Sequence, residues 1–460
     1  MLGRSCHQTT LRNAAIGVVA TLTALFSFSP HWEVAGGEKT GLANYIDTSS
    51  DARPQKKQPS KVTLTSSVRA EATSTFANRG PTTVIVEEPP LYRAPAECCP
   101  TTSCWQTCFH GFWVRGEYLH WWTDAMDIPP LVTTSLAGTT PNTAGVLLQP
   151  GTQTLLGSGD LGGSGQSGAR ISAGWWIDPS ACRGFEANYF HLGTKTSSFA
   201  TDSASTPILA RPVFDTGTSS ETAMLVAHPD FLTGTINVDA TTELQGAEAL
   251  FRRRLFQGCD SRVDFLFGYR FAKLDESLNI SQSSLWTATQ GAIVAGTTQN
   301  LFDSFATDNQ FHGGELGIAY TQQYSCWSLD ATMKMALGNN RSTVTIDGQT
   351  VNTVPAGGSA TFVGGLLAQQ TNIGRYERDA FGFIPELTIT ARRDVTCNLS
   401  ISVGYNLMYW TATLRPGDQI DRQVSQFPPE APMGTQRPAF NFQSGSFWAQ
   451  GLNLGLAYQF

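Results

Sequence analysis

The chain has 460 residues, of which 15% are charged and 10% aromatic, with 44 glycines, a mixture poor in helix signals and rich in turn signals that favours an all-β protein. A net charge of −7 and an isoelectric point near 5.5 argue against nucleic acid as the partner, since phosphate binding needs a basic face. After the N-terminus no apolar run reaches the roughly 18–20 residues of a membrane helix, so a membrane location would require a barrel.

Arg4 and Arg12 precede the apolar run from Ala14 to Phe28, a positive region followed by a hydrophobic one of signal-peptide length, and residues 1–35 read as an export signal. From 36 to 110 the chain is Ser/Thr/Pro-rich without sustained periodicity, an arm with too little apolar surface to offset its chain entropy. Cys98, Cys99, Cys104 and Cys108 close that arm. Their spacing fits structural zinc poorly, and in an exported chain disulfides are the better reading.

From Phe112 the pattern changes to period-two alternation. Phe112, Val114, Tyr118 and Trp122 oppose Trp113, Arg115, Glu117, Leu119 and Trp121, placing both charges on one face. Hairpins follow. Ile171 to Ile177 turns through Asp178–Arg183 into Phe185, Ala187 and Tyr189, with Asp, Pro and Ser supplying turn chemistry. In the next, Ile236, Val238, Ala240 and Leu244 alternate with polar residues, and after Gly246 the apolar phase moves to Ala247, Ala249 and Phe251, as a bulge at that glycine would produce. Val263, Phe265, Phe267, Tyr269 and Phe271 then alternate with Arg262, Asp264, Gly268 and Arg270. A third hairpin puts Glu315, Asp330 and Lys334 on its polar side, and a fourth does the same with Glu386. Pro385 lies beside Glu386, and a proline there requires a bulge or a rim position.

The last strand alternates Trp448, Leu452, Leu454, Leu456, Tyr458 and Phe460 with small or polar residues. A chain ending on an apolar strand is best explained as the strand that closes a barrel, and Trp448, Leu454, Leu456, Tyr458 and Phe460 form a candidate assembly signal for barrel assembly machinery. The count is ten strands, with short segments at 145–156 or 343–346 as a route to twelve. Four short turns and five long segments (123–168, 193–233, 272–308, 338–379 and 411–445) match periplasmic turns and extracellular loops. Each short turn carries or adjoins one cysteine: Cys182, Cys259, Cys326 or Cys397.

Phe112-Trp-Val-Arg-Gly-Glu-Tyr-Leu119, Pro129-Pro-Leu-Val-Thr-Thr-Ser135, Gly174-Trp-Trp-Ile-Asp178, Leu209-Ala-Arg-Pro212, Gly268-Tyr-Arg270, Gly313-Gly-Glu-Leu-Gly317 and Arg415-Pro-Gly-Asp-Gln-Ile-Asp421 together resemble the planctomycete β-barrel porin-7 family over 112–460. The resemblance implies an exported outer-membrane barrel spanning 111–460. It brings no catalytic residue, cofactor or substrate with it.

Functionally, the inward charges Arg115, Glu117, Arg170, Glu186, Asp264, Arg270, Asp330, Lys334 and Glu386 either line a narrow channel or pair across the lumen and close it, leaving a lipid-embedded anchor for the loops. Ten strands leave little room, since eight are just filled by side chains. A soluble β-sandwich is the alternative. A surface hydrolase is the least favoured reading, because His120, His191 and His312 take the outward phase and cannot converge with His228 over the lumen. The expectation is a non-enzyme without metal or cofactor, whose solute, if any, is unknown.

Overall fold

Ten strands close on themselves in the computed structural model, which describes residues 111–460 apart from residue 432. The expected signal, the arm and Cys98, Cys99, Cys104 and Cys108 lie outside the described residues. The strands are β1 (Phe112–Thr123), β2 (Gly165–Trp176), β3 (Arg183–Asp202), β4 (Leu232–Gln257), β5 (Ser261–Trp286), β6 (Thr298–Tyr324), β7 (Trp327–Val354), β8 (Gly374–Asp394), β9 (Leu399–Leu414) and β10 (Ser444–Gln459). Each pairs antiparallel with its sequence neighbours, and β1 with β10, so the ten strands form a closed ring. The closing seam runs from Trp113 opposite Gln459 to Thr123 opposite Ala449. It is capped by the Phe460 N–H donating to the Phe112 carbonyl at 2.9 Å.

The outward rows define a lipid-facing band. On β7 it is Trp327, Leu329, Ala331, Met333, Met335 and Leu337, eleven positions along the strand before Asn339 and Arg341, which matches the roughly 9–11 residues a tilted strand needs to cross a bilayer. Polar groups take over at one level on neighbouring strands: His191 contacts Glu243 at 3.1 Å, Lys273 contacts Asp308 at 3.0 Å, and Arg341 contacts Glu377 at 2.8 Å. Among the described residues no helix is long and apolar enough to cross a membrane.

Above that level the strands continue. β4 to β7 contain 26, 26, 27 and 28 residues, so β5 extends about 50 Å along its own direction past Phe271. Here the faces exchange polarity. Ile236, Val238, Ala240, Leu278, Ile280, Phe305, Val344 and Ile346 point inward and are buried, while polar residues meet water outside. A five-stranded sheet (Val132–Thr134, Gln153–Leu156, Leu209–Asp215, Ser220–Ala227 and Gln423–Val424) shares this core through Val132, Leu209, Val213, Val226 and Val424. The long segments are thus largely strand, and the molecule is a barrel continued into a β-sandwich.

This corrects several expectations. The stretch from Ile236 to Leu244 faces the interior, not lipid, because outside the bilayer the dry side of a strand is the inner one. No bulge sits at Gly246: pairing with β5 is unbroken from Leu232 to Arg254, and the register shift against β3 falls at Thr242/Leu244. Gly246 is required instead by close approach, since a Cβ there would lie 2.5 Å from the Phe190 ring. The segments at 153–156 and 343–346 add no barrel strand: the first belongs to the small sheet and the second to β7. Pro385 stays in register opposite Met335 on β7, but β8 pairs with β9 only from Glu386 onward. The proline therefore marks where β8 leaves β9, a place where no N–H is needed.

Candidate functional site

All nine charges assigned to the lumen face inward. Toward the short-turn rim they surround a polar vestibule of about 260 Å³, lined by Arg115, Glu117, Arg170, Glu186, Asp330, Lys334 and Glu386. The vestibule is laced by ion pairs. Arg252 lies 3.2 Å from Glu186 and 2.7 Å from Asp264, Arg262 lies 2.8 Å from Asp264, and Arg392 lies 3.6 Å from Asp330. Arg115 stacks over Trp113 at 5.4 Å.

At its inner end the charges meet across the barrel. Lys334 on β7 reaches Glu248 on β4 at 2.6 Å, three places away around the ring. Arg270 on β5 contacts Glu386 on β8 at 2.5 Å, Glu315 on β6 at 2.9 Å and Glu248 at 3.2 Å. Its second terminal nitrogen touches Met408 on β9 at 3.2 Å, four places away. Arg170 joins Glu117 at 3.6 Å to Glu386 at 3.9 Å, and Asn406 donates to Glu386 at 2.7 Å. The glutamates Glu248, Glu315 and Glu386 bring carboxylate oxygens within 4.8 Å of one another, a spacing that could suit a divalent cation. Arg270 and Lys334 already supply the positive charge at that position. Glu248 and Glu315 complete the cluster; alternation places both on the polar side, but only the folded ring shows that they meet Arg270 and Lys334.

Immediately above, the lumen is filled by Leu119, Trp121, Phe190, Leu192, Leu244, Leu274, Phe311, Ile384, Met408, Trp410 and Phe447, all buried. Trp121 donates to Asn453 at 2.7 Å and packs on Phe190 at 5.4 Å; Phe311 meets Trp410 edge to face at 6.2 Å. Glycine provides the space: a Cβ on Gly451 would lie 2.4 Å from the Trp121 Cα.

A third level ties the barrel to the sandwich. Arg415, just beyond β9, donates to Glu276 at 2.8 and 3.0 Å and to Asp124 at 3.0 Å. No local pattern connects these residues, which come from three distant parts of the chain. Burial raises the Asp124 carboxyl to about 6, against the pull of Arg415. A folded value above the unfolded one means the charged form weakens the fold at neutral pH, and this penalty is relieved as pH falls from about 6 toward 3.8. Asp124→Asn should therefore unfold at a higher temperature than wild type at pH 7, with the advantage gone below about pH 4. Heat-modifiability in mild detergent across that range measures it. A variant less stable than wild type at pH 7 would show that the Arg415 attraction outweighs burial.

The other candidate residues lie elsewhere. Trp448, Leu454, Leu456, Tyr458 and Phe460 occupy the outward face of the closing strand, with Phe460 packed on Phe112 at 5.6 Å and Tyr458 at 4.8 Å. His120, His191 and His312 point outward: His120 lies against Trp122, His191 against Glu243 and His312 against Tyr269. His228 is buried in the sandwich, 3.1 Å from the Thr139 carbonyl.

The family described as Putative beta barrel porin-7 matches residues 113–460. Among solved structures the chain is similar to the outer membrane protease OmpT of Escherichia coli, at 9% identity over 78% of this chain and 100% of that one, with a TM-score of 0.38. It is also similar to a FadL homologue of Pseudomonas aeruginosa, at 10% identity over 76% of this chain and 90% of that one, with a TM-score of 0.23. The toluene transporter TodX of Pseudomonas putida matches at 8% identity, over 76% of this chain and 90% of that one, with a TM-score of 0.19. No curated protein matches the chain.

Proposed function

The chain belongs to the beta barrel porin-7 family and is an outer-membrane β-barrel, and from that premise we propose that it is a closed, non-catalytic surface anchor rather than an open channel. The observation that carries this reading is the contact between Lys334 and Glu248 at 2.6 Å, with Arg270 on Glu386 at 2.5 Å: side chains from well-separated strands meet in the lumen instead of leaving a water lane. The aromatic layer centred on Trp121 and Trp410 supports it independently, because ions cannot pass a packed apolar section without losing their hydration.

On this reading the short-turn rim faces the periplasm and the sandwich faces outward, as short turns and long loops are distributed in such barrels. The apolar band binds outer-membrane lipid, and the strand ending at Phe460 is the part offered to the barrel assembly machinery. The barrel's task is to hold the sandwich rigidly above the membrane. The vestibule is a blind recess ending at Glu248, Lys334 and Glu386.

Purified protein reconstituted in planar bilayers should give no steady conductance in concentrated salt, while resistance to SDS before heating confirms that the barrel is folded. Sustained, ohmic single-channel steps from the heat-modifiable species would overturn the anchor reading in favour of a narrow pore.

A further inference from the structure

The vestibule at the short-turn rim holds one charge that its ion pairs leave over. At the mouth Arg252 lies 3.2 Å from Glu186, Arg262 lies 2.8 Å from Asp264 and Arg392 lies 3.6 Å from Asp330, so three cations there answer three carboxylates. Arg115 is a fourth cation. It lines the recess, and its Nε is shut off from solvent without a hydrogen-bond partner. Among the described residues it forms no ion pair, and its guanidinium lies over the Trp113 ring at 5.4 Å. A guanidinium held over an aromatic ring keeps its N–H edge available to a planar oxyanion. The register partners of Arg115 on β10 and β2 are Ala457 and Ser172; both line the recess, so the wall beside Arg115 is short and carries one hydroxyl. Further in, the balance reverses: Arg170, Arg270 and Lys334 face Glu117, Glu248, Glu315 and Glu386, with one carboxylate in excess.

We propose that the vestibule is a binding recess for a small monocarboxylate, held at its mouth by Arg115. A guanidinium takes a carboxylate through two parallel N–H···O bonds. The volume of about 260 Å³ lies below the roughly 300–1,000 Å³ of sites that enclose drug-sized ligands, which suits a carboxylate with a few heavy atoms behind it. The order of charges selects the class. One negative charge neutralises the mouth, whereas a second, as on a phosphate dianion, would find no cation left over and would stand against the carboxylate excess below. An uncharged ligand would leave Arg115 unpaired. Removing Arg115 takes the partner from no carboxylate, in contrast to Arg270, so its charge is not needed to balance the fold. In the orientation proposed above the ligand is met in the periplasm, but binding rests on the vestibule alone and stands or falls separately from conductance.

Saturation-transfer NMR on heat-modifiable protein purified from outer membranes, in nonionic detergent at low salt, tests this with N-acetylglycine as the monocarboxylate probe and its primary amide as the uncharged match. The acid should receive saturation at its methyl group and the amide should not, a comparison that needs no variant. Arg115→Gln should accumulate as a heat-modifiable barrel at wild-type level and bind the acid about tenfold more weakly or worse, the loss of one charge-assisted hydrogen-bonded contact. Arg341→Gln, on the exposed outer surface, should leave the acid signal unchanged. Acetate should displace the probe, and inorganic phosphate at about pH 8, where it is a dianion, should displace it far less. No signal from wild type, equal saturation of acid and amide, an acid signal undiminished in Arg115→Gln, or displacement by phosphate as strong as by acetate would each overturn the proposal.

Discussion

Replacing Arg270 with methionine is expected to abolish accumulation of the heat-resistant barrel. Arg270 is buried to 0% exposure and lies within 3.2 Å of three glutamates. Without it, Glu248, Glu315 and Glu386 are left with Lys334, at 2.6, 3.8 and 3.4 Å, and Glu386 also with Arg170 at 3.9 Å. Removing one partner of a buried ion pair costs about 3–5 kcal/mol because the remaining charge stays desolvated, a large fraction of the roughly 5–15 kcal/mol by which folded proteins are stable. The compensated variant Arg270→Met with Glu315→Gln removes one charge of each sign and should regain most of the lost protein. Western blots of outer membranes, with and without boiling, provide the measurement. Wild-type amounts of heat-modifiable Arg270→Met would mean that the cluster does not hold the lumen together, and the anchor reading would lose its main support.

The compensated variant also separates two roles. If the apolar section above the cluster is an independent seal, Arg270→Met with Glu315→Gln should remain non-conducting, since Trp121, Phe311 and Trp410 are untouched. Polar and apolar levels then act in series, and the apolar one is sufficient for closure.

The barrel was legible in the sequence where lipid imposes its own rule. Between Val263 and Phe271, or between Trp327 and Met335, period-two alternation is dictated by a hydrocarbon solvent on one side, and the expected facing is what the structure shows. The rule fails where the same strands leave the bilayer. Ile236, Val238 and Ala240 look like a lipid face because they are apolar and alternate, yet above the band water lies outside and the dry side is the inner one. The apparent change of phase at Gly246 was therefore a change of solvent along an unbroken strand. The alternation of Lys273, Asp275 and Ser277 with Leu274, Glu276 and Leu278 was also visible, but without a lipid partner it resembled a loop. The cluster was half legible: alternation found the inward charges, but which of them meet depends on ring order and stagger. Arg415 reaching Glu276 across 139 residues has no local signature at all.

Deleting Phe460 should reduce outer-membrane levels strongly, while Gln459→Ala should be nearly neutral. Phe460 is the last outward residue of the seam. It is 61% exposed toward the lipid side, packs on Phe112 and Tyr458, and supplies the final N–H of the β1–β10 closure through the Phe112 carbonyl. Losing its ring forfeits about 1.5–3 kcal/mol of apolar burial in the membrane, and the deletion also removes that hydrogen bond. Phe460→Asp should be at least as damaging, because it places a charge on the lipid face where the strand must insert. Gln459 takes the inward phase at the polar vestibule, and a strand's two faces have different solvents, so truncating it removes little. Comparing heat-modifiable protein in outer membranes for the deletion, Phe460→Asp and Gln459→Ala separates a requirement for the outward aromatic from a requirement for chain length. Equal, heat-modifiable accumulation of the deletion and wild type would show that closure by β1 and β10 is secure without its terminal aromatic, and that the assembly machinery reads some other feature of the strand.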